Sequence, residues 1–292
     1  MKLSELIGNT PLVELQHIPT KKEVTIFGKL EGNNPGGSVK DRAAYGMISG
    51  ALSRGTIKKG DKLVEATSGN TGIALAMMAR IMGLEMTLIM PDNSTRERVL
   101  AMEAYGAKVI LTRADRTIEY SRQLAEEMAS TGDFFMLDQF ANADNYAMHY
   151  ATTGPEIWRD TSGKVTHFVS AMGTTGTIMG VSRYLKEQNP QIQIVGTQPT
   201  EGSCIPGIRR WSPEFLPRIF EATRVDRTLD VREADARTYT KRLAKEEGIL
   251  AGMSSGGALS AALRIADEID SGTIVFIVCD RGDRYLSSDL FA

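Results

Sequence analysis

Short apolar runs alternate with longer helical patterns along most of the chain. The runs typical of buried strands lie at residues 10–15, 24–30, 62–66, 86–90, 108–111 and 134–137. Between them the pattern predicts helices over 39–54, 73–82, 95–105 and 115–129. Strands and helices that alternate at such short spacing indicate an α/β protein with a parallel sheet.

A second run of alternation follows a helical stretch at 143–159, which Gly154-Pro155 is expected to interrupt. Residues 202–220, rich in Pro, Gly and Arg, predict a long loop of the kind that carries function in a compact domain. Two consecutive α/β runs predict two lobes. The strands predicted in the second run are 165–170, 192–196 and 273–278, and the helices are 178–188, 233–247 and 255–267.

Composition narrows the class of protein without naming a function. Of 292 residues, 42% are hydrophobic, and the formal net charge is -2. A nucleic-acid surface is therefore not expected, and the ligands are expected to be small molecules. No apolar signal core or membrane-spanning run is present, so we expect a cytoplasmic protein. Two distant cysteines and three histidines without ligand-like partners predict a reducing compartment and no metal site.

A tight loop of turn-forming residues leads into one lysine, in the stretch Asn33-Asn34-Pro35-Gly36-Gly37-Ser38-Val39-Lys40. Ser38 fits an N-cap, which places Lys40 in the first helical turn. A cation there opposes the positive end of the helix dipole. Either Asp41 neutralises a surface lysine, or the pKa of Lys40 is lowered for chemistry. This stretch alone favours the surface lysine.

Two loops between a predicted strand and a helix have the composition of anion sites. Gly173-Thr174-Thr175-Gly176-Thr177 offers close backbone approach, free N–H groups and hydroxyls, which favours phosphate over a simple turn. Thr67-Ser68-Gly69-Asn70-Thr71-Gly72 has the same placement in the first lobe, where an anion site and a plain helix cap are equally favoured. Neither loop carries a nucleotide-binding fingerprint.

A third loop of small residues, Gly252-Met253-Ser254-Ser255-Gly256-Gly257, also precedes a helix. Its serines suit either a helix cap or a hydrogen bond to a ring nitrogen, and the pattern does not decide between them. A phosphate cradle, a second anion cradle and an activated lysine together suggest a phosphorylated carbonyl cofactor held as a Schiff base.

Together these motifs resemble the fold-type II pyridoxal-phosphate enzymes, and more narrowly the O-acetylserine sulfhydrylases, or cysteine synthases. The resemblance runs from Ile7-Gly8-Asn9-Thr10-Pro11-Leu12 to Arg284-Tyr285-Leu286-Ser287, nearly the whole chain. The stretches 205–211 and 278–285 resemble the B-type branch of that family. The resemblance implies an α/β fold with two open twisted sheets flanked by helices, like the tryptophan synthase β subunit.

The resemblance also assigns roles. Lys40 would carry pyridoxal 5'-phosphate through the Schiff base and act as base for the α-proton. The cofactor phosphate would be bound by Gly173, Thr174, Thr175, Gly176 and Thr177, and the cofactor ring would be contacted by Asn70 and Ser254. The substrate carboxylate would be bound by Thr67, Ser68, Asn70, Thr71 and Gln139. A wider polar pocket would be lined by Arg210, Trp211 and Cys279, with Arg209 left open as a further member.

The implied reaction is β-replacement. Acetate leaves O-acetyl-L-serine, and sulfide adds to give L-cysteine, or thiosulfate adds to give S-sulfocysteine. A cationic Arg210 would suit a nucleophile with a second anionic group, although the same charge would also suit O-phosphoserine as the donor. The alternatives are a cystathionine β-synthase-like enzyme and a regulatory homologue that binds a partner protein in its site, and the intact lysine argues against the latter.

The resemblance implies partners and domains as well. It implies a homodimer, and it raises contact with serine acetyltransferase as a further expectation. A small mobile domain is expected at 35–145, and a larger domain that binds the cofactor phosphate at 1–34 and 146–292. Closure of the small domain over the substrate is expected to move residues 86–131.

Overall fold

Two parallel sheets form the framework of the computed structural model, which describes residues 1–67 and 69–292. Most of its strands are apolar runs of five to seven residues, because both faces of a parallel sheet are covered. The strands are β1 Leu12–Glu14, β2 Val24–Leu30, β3 Lys62–Ala66, β4 Glu85–Pro91, β5 Lys108–Thr112, β6 Phe135–Met136, β7 His167–Ala171, β8 Gln193–Pro199, β9 Arg227–Val231 and β10 Gly272–Val278.

The larger sheet has the strand order β1-β2-β10-β7-β8-β9, and the smaller has the order β5-β4-β3-β6. Every pairing is parallel except that of β1 with β2. The parallel strands of one sheet therefore end at one common edge, where their loops enter helices. This arrangement confirms the predicted α/β class with two open sheets.

Helices cover the sheets and meet between them. The helices are α1 Lys40–Ser53, α2 Asn70–Met82, α3 Arg96–Ala104, α4 Thr117–Ser130, α5 Ala143–Ala151, α6 Thr153–Asp160, α7 Gly176–Gln188, α8 Glu233–Glu247 and α9 Met253–Glu268. Fully buried Met47, Leu63 and Leu75 belong to the core of the smaller sheet, and Phe276 and Leu259 to a core of the larger. Among the described residues, no helix combines the length and apolarity needed to cross a bilayer.

The structure departs from the predicted elements in two places. The helical stretch breaks at Thr152 (φ −128°, ψ −67°), not at Gly154-Pro155. Pro155 lies in the first turn of α6, where the missing N–H has no intrahelical partner to lose. Strand β9 was not predicted, because its residues Arg227–Val231 are mostly polar and exposed. The sheets use residues 62–136 and residues 12–30 with 167–278, and the domain limits at 35 and 145 remain a prediction.

Candidate active site

Three parallel strands end at one cavity of about 260 Å³. β3 leads through Thr67 into α2, and β7 leads through Gly173 and Thr174 into α7. β10 ends beside α1, since Val39 N donates to Cys279 O at 2.8 Å. The cavity therefore lies where loops of both sheets meet. The residues on its wall that the sequence predicted for the site are Lys40, Thr67, Asn70, Thr71, Gln139, Gly173, Thr174, Trp211 and Ser254.

Lys40 is the first residue of α1 and reaches the cavity. The Ser38 hydroxyl accepts a hydrogen bond from Lys40 N at 3.2 Å, so the predicted cap residue holds the start of the helix. Among the described residues, no hydrogen bond or ion pair reaches the Lys40 Nζ. Burial lowers the pKa of Lys40, against the opposing charges of Cys279 and Asp280. A neutral amine is a nucleophile, and it also removes the conflict with the helix dipole.

Cys279 follows β10 and lies near Lys40, but it is not among the described residues that line the cavity. Its backbone N donates to Ser255 Oγ at 2.9 Å. Burial and the charge of Asp280 raise the pKa of the Cys279 thiol to about 11. The thiol is therefore protonated at neutral pH, and its predicted contact with substrate remains a prediction.

The Gly173–Thr177 loop has the backbone of an anion cradle. Thr175 has φ 70°, a left-handed conformation that costs a residue with a side chain about 1–2 kcal/mol. Its buried Oγ1 has no hydrogen-bond partner, and α7 begins at the next residue, so free N–H groups and a helix N-terminus lie there too. A Cβ on Gly176 would lie 2.0 Å from Asn145 Oδ1, so this position admits only glycine without rearrangement.

One buried amide joins this loop to the substrate side of the cavity. Asn145 Nδ2 donates to Thr174 Oγ1 at 3.2 Å and to Gln139 O at 2.8 Å. Thr177 Oγ1 lies 3.3 Å from Nε2 of His149, and burial lowers the pKa of His149 to about 3. A neutral His149 therefore adds a polar contact without a charge.

The loop before α2 carries the second predicted anion site. Thr71 Oγ1 donates to Gln139 Oε1 at 2.9 Å, and both residues line the cavity. Asn70 Nδ2 donates to Asp280 Oδ2 at 2.7 Å, and Asn70 Oδ1 accepts from Arg284 at 2.5 Å. Ser68, also predicted here, lies outside the described residues. The loop thus presents hydroxyls and amides beside the N-terminus of α2, as carboxylate binding requires.

Arg209, and not Arg210, lies on the cavity wall. Arg210 pairs with Asp230, and its Nε donates to Pro199 O at 3.0 Å. The structure thus brings Arg209 but not Arg210 to the cavity wall, and the substrate contact expected of Arg210 remains a prediction. Trp211 does line the cavity, and its Nε1 donates to Gly173 O at 2.9 Å.

Sequence reasoning missed a carboxylate that ties the site together. Asp280 accepts from Asn70 Nδ2 at 2.7 Å, from Tyr285 Oη at 2.5 Å and from Gly252 N at 3.1 Å. Arg284 extends the network by donating to Gly36 O at 2.9 Å. The position of Asp280 just past the end of a buried parallel strand was the available signal.

A phosphorylated cofactor linked to lysine fits these residues. The left-handed Thr175 with its orphan hydroxyl offers a phosphate cradle, and at Gly173 a Cβ would lie 2.7 Å from Gly207 O. Lys40 faces the same cavity with a lowered pKa, and Ser254 and Asn70, the residues expected to contact the cofactor ring, lie on its wall. Fold and site together define an enzyme that uses such a cofactor.

The chain belongs to the pyridoxal-phosphate dependent enzyme family, whose model matches residues 3–280. It is 59% identical over 289 residues to cysteine synthase B of Pseudomonas aeruginosa, covering 99% of this chain and 97% of that protein. Cysteine synthase B of Escherichia coli is 57% identical, with 99% and 95% covered. The crystal structure of a cysteine synthase from Entamoeba histolytica is 39% identical with a TM-score of 0.94, covering 99% of this chain and 90% of that one.

Proposed function

We propose that this protein is a cysteine synthase of the B type, which makes L-cysteine from O-acetyl-L-serine and sulfide, or S-sulfocysteine from thiosulfate. The observation that carries the proposal is the Nζ of Lys40, which has no partner among the described residues and faces one cavity together with the two loops expected to bind anions. The identity to cysteine synthases B over almost the whole chain supports the choice of reaction.

Pyridoxal phosphate, when bound, supplies an electron sink for the substrate Cα. Lys40 would hold the cofactor, Gly173–Thr177 would bind its phosphate, and Asn70 and Ser254 would contact its ring. The amine of Lys40 would accept the Cα proton of the substrate, which demands the neutral form that burial favours. Acetate then leaves with the electrons of the Cβ–O bond, and sulfur forms the new bond to Cβ.

The substrate side of the cavity orients the amino acid. Thr67, Ser68, Asn70, Thr71 and Gln139 hold its carboxylate. Because Asn145 bonds both Gln139 O and Thr174 Oγ1, the carboxylate pocket and the phosphate cradle are fixed relative to each other. Arg209, which has no ion-pair partner among the described residues, takes the role first expected of Arg210 and attracts an anionic sulfur donor.

The test is product formation by the protein reconstituted with pyridoxal phosphate. O-acetyl-L-serine with sulfide is expected to give L-cysteine, and with thiosulfate S-sulfocysteine, each with one acetate. Lys40→Ala is expected to give neither, whereas Lys22→Ala, at an exposed lysine, keeps both activities. Bound cofactor without product from either donor would reject the assignment.

O-phosphoserine is a second donor that the charge of the site favours. Arg98, Arg122 and Arg209 line the cavity with Lys40, and a phosphate leaving group carries more negative charge than acetate. Comparison of kcat/KM for the two donors decides between them. Homocysteine as the nucleophile, which gives cystathionine, tests the cystathionine β-synthase-like alternative in the same assay.

The assembly is proposed as a homodimer. Leu3, Leu6 and Val13 near the N-terminus are 40%, 46% and 37% exposed, and an apolar surface of this kind supports association. Light scattering during gel filtration is expected to give twice the mass of the chain. A mixture with serine acetyltransferase tests that contact in the same experiment. We further propose that the 35–145 domain closes over the substrate.

A further inference from the structure

Arginines from three separate elements line the cavity. Arg98 lies on α3, Arg122 on α4 and Arg209 on the loop after β8, and Glu119 lies on the same wall. Arg98 stacks over the ring of Tyr285, with its Cζ 5.4 Å from the ring centre. The β-replacement of O-acetyl-L-serine described above needs an amine and two anion-binding loops, and it assigns no contact to Arg122.

Arg122 lies against a pair of aromatic side chains that contact each other. Its Cζ lies 5.2 Å from the centre of the Phe140 ring, and that ring meets Trp211 edge to face at 5.5 Å. Trp211 is fixed in turn by its hydrogen bond to Gly173 O. A guanidinium stacked in this way keeps its N–H donors for an anion in the plane of the group.

Arg122 lies near several acidic residues, and the most buried of these is mostly protonated at neutral pH. Among the described residues, Arg122 forms no ion pair. Glu65, Asp138 and the exposed Glu126 share a small adjoining cavity with it. Burial, together with the charge of Asp138, raises the pKa of Glu65 to about 8. At neutral pH Glu65 is therefore mostly protonated and does not neutralise the guanidinium.

We propose that Arg122 determines donor specificity, by binding the outer anionic group of a sulfur nucleophile of the thiosulfate class together with Arg209. Arg122 belongs to a helix of the smaller sheet and Arg209 to a loop of the larger sheet. A dianion bound between them would therefore contact residues of both sheets. The inference rests on the proposed function and adds a residue to it.

The bond changes of the step balance without an oxidant. The terminal sulfur of thiosulfate donates an electron pair to Cβ, and the Cβ–O bond breaks with its pair leaving on acetate. The Cα proton removed at the start returns to Cα. One dianion and one zwitterion give S-sulfocysteine with one net negative charge and acetate with the other. Arg122 holds the sulfonate oxygens and exchanges no proton.

The test compares two donors in Arg122→Gln. We expect kcat/KM for thiosulfate to fall about 10- to 100-fold, mainly through KM, because a charge-assisted bidentate contact is lost. With hydrogen sulfide, which has no outer oxygens, kcat/KM is expected to stay within about twofold. Arg122→Lys should recover part of the loss. The control is Arg113→Gln, an exposed arginine that pairs with Asp115 away from the cavity.

Equal losses with both donors would show that Arg122 only supports the wall, and no loss with either would show that it is idle. Each result overturns the inference. A binding measurement separates this failure from failure of the proposed function. Calorimetric titration of the holoenzyme with thiosulfate is expected to show binding that Arg122→Gln weakens and Arg113→Gln does not, whether or not product forms.

The pH dependence of KM for thiosulfate gives a further test. As the pH rises through about 8, Glu65 ionises and competes for Arg122, so KM for thiosulfate should rise. Glu119 and Glu126 on α4 and the Asp138 carboxylate are the other acids near Arg122. Glu65→Gln is expected to remove the rise near pH 8, and a rise that persists in this variant would contradict the coupling.

Discussion

Two groups of charged side chains lie near the start of helix α1, and they differ in whether the charges are paired. Arg42 is fully buried and donates to Glu31 and Glu156 at 2.7–2.8 Å, and buried Lys29 pairs with Glu156 at 2.8 Å. Lys40, two residues before Arg42, has no such partner among the described residues. The charges of Arg42 and Lys29 are thus paired with carboxylates, whereas Lys40 has no paired carboxylate and more readily loses its proton.

The difference shows how neighbouring positions separate stability from chemistry. Although burial opposes its charged form, the pairing with Arg42 and Lys29 holds the pKa of Glu156 at about 2. Burial without a pairing carboxylate lowers the pKa of Lys40. A buried cation is thus either paired and structural or unpaired and reactive. We therefore expect substitution of Lys40 to affect the chemistry and substitution of Arg42 to affect stability.

Removal of the reactive amine should have the largest effect. Lys40→Ala is expected to lower kcat at least about 10³-fold, because the variant loses the proton acceptor as well as the covalent attachment. The free energy of unfolding of the cofactor-free protein should stay within about 0.5 kcal/mol, since no ion pair is broken. A large loss of stability would place Lys40 in the structural cluster instead.

Removal of the paired guanidinium should act on folding. Arg42→Met leaves Glu31 buried without its partner and is expected to cost about 3–5 kcal/mol of unfolding free energy, measured in urea. Arg54→Met is the control, because its pair with Asp144 is exposed and should contribute under about 1 kcal/mol. Similar losses in the two variants would remove the contrast between clusters.

Crowding the phosphate cradle should weaken cofactor binding. In Gly176→Ala the new methyl group meets Asn145 Oδ1, so the amide must leave Thr174 and Gln139. We expect pyridoxal phosphate to bind about 10- to 100-fold more weakly, from an overpacking cost of about 1–3 kcal/mol. Asn145→Ala, which breaks the same bonds without the clash, should weaken it less. Unchanged affinity in Gly176→Ala would argue against phosphate binding at this loop.

The smallest effect concerns pH. Buried Asp41 accepts from Gly36 N at 2.5 Å, its Oδ1 has no partner, and burial raises its pKa to about 7. The folded state therefore keeps a proton that the unfolded state loses near pH 4, so the contribution of Asp41 to stability is full below pH 4 and declines until about pH 7. Over this range the urea midpoint of Asp41→Asn should fall less than that of the parent protein, because the decline from Glu65 is common to both and only the parent also loses the contribution of Asp41. Midpoints that fall in parallel would contradict this role of Asp41.

Much of the fold could be predicted from the sequence because local pattern and tertiary burial agree. Val24–Leu30 and Glu233–Glu247 have the predicted bounds, since alternation or helical period marks one buried face in each. Arg227–Val231 was missed because only Leu229 and Val231 are buried, and its place is set by pairing with β8.

Some features of the site could be predicted from the sequence, and others could not. Composition alone favoured an anion site only at Gly173–Thr177, because backbone freedom and hydroxyls leave a signal there. The roles expected of Lys40 and of the loop before α2 depended on the resemblance to a known family. The sequence could not show which of Arg209 and Arg210 reaches the cavity wall, because adjacent side chains on a loop differ only in direction, and here Arg210 pairs with Asp230 on β9. Arg122 and Asn145 lie within helices whose periodicity carries no sign of the cavity.

Reduction of the reconstituted protein with borohydride, followed by peptide mapping by mass spectrometry, tests the central claim most directly. Borohydride fixes pyridoxal phosphate to the lysine that carries it. We expect the added mass on Lys40 alone, with Lys29, which is fully buried and paired with Glu156, unmodified. Attachment to Lys29 or another lysine, or no attachment with full activity, would contradict it.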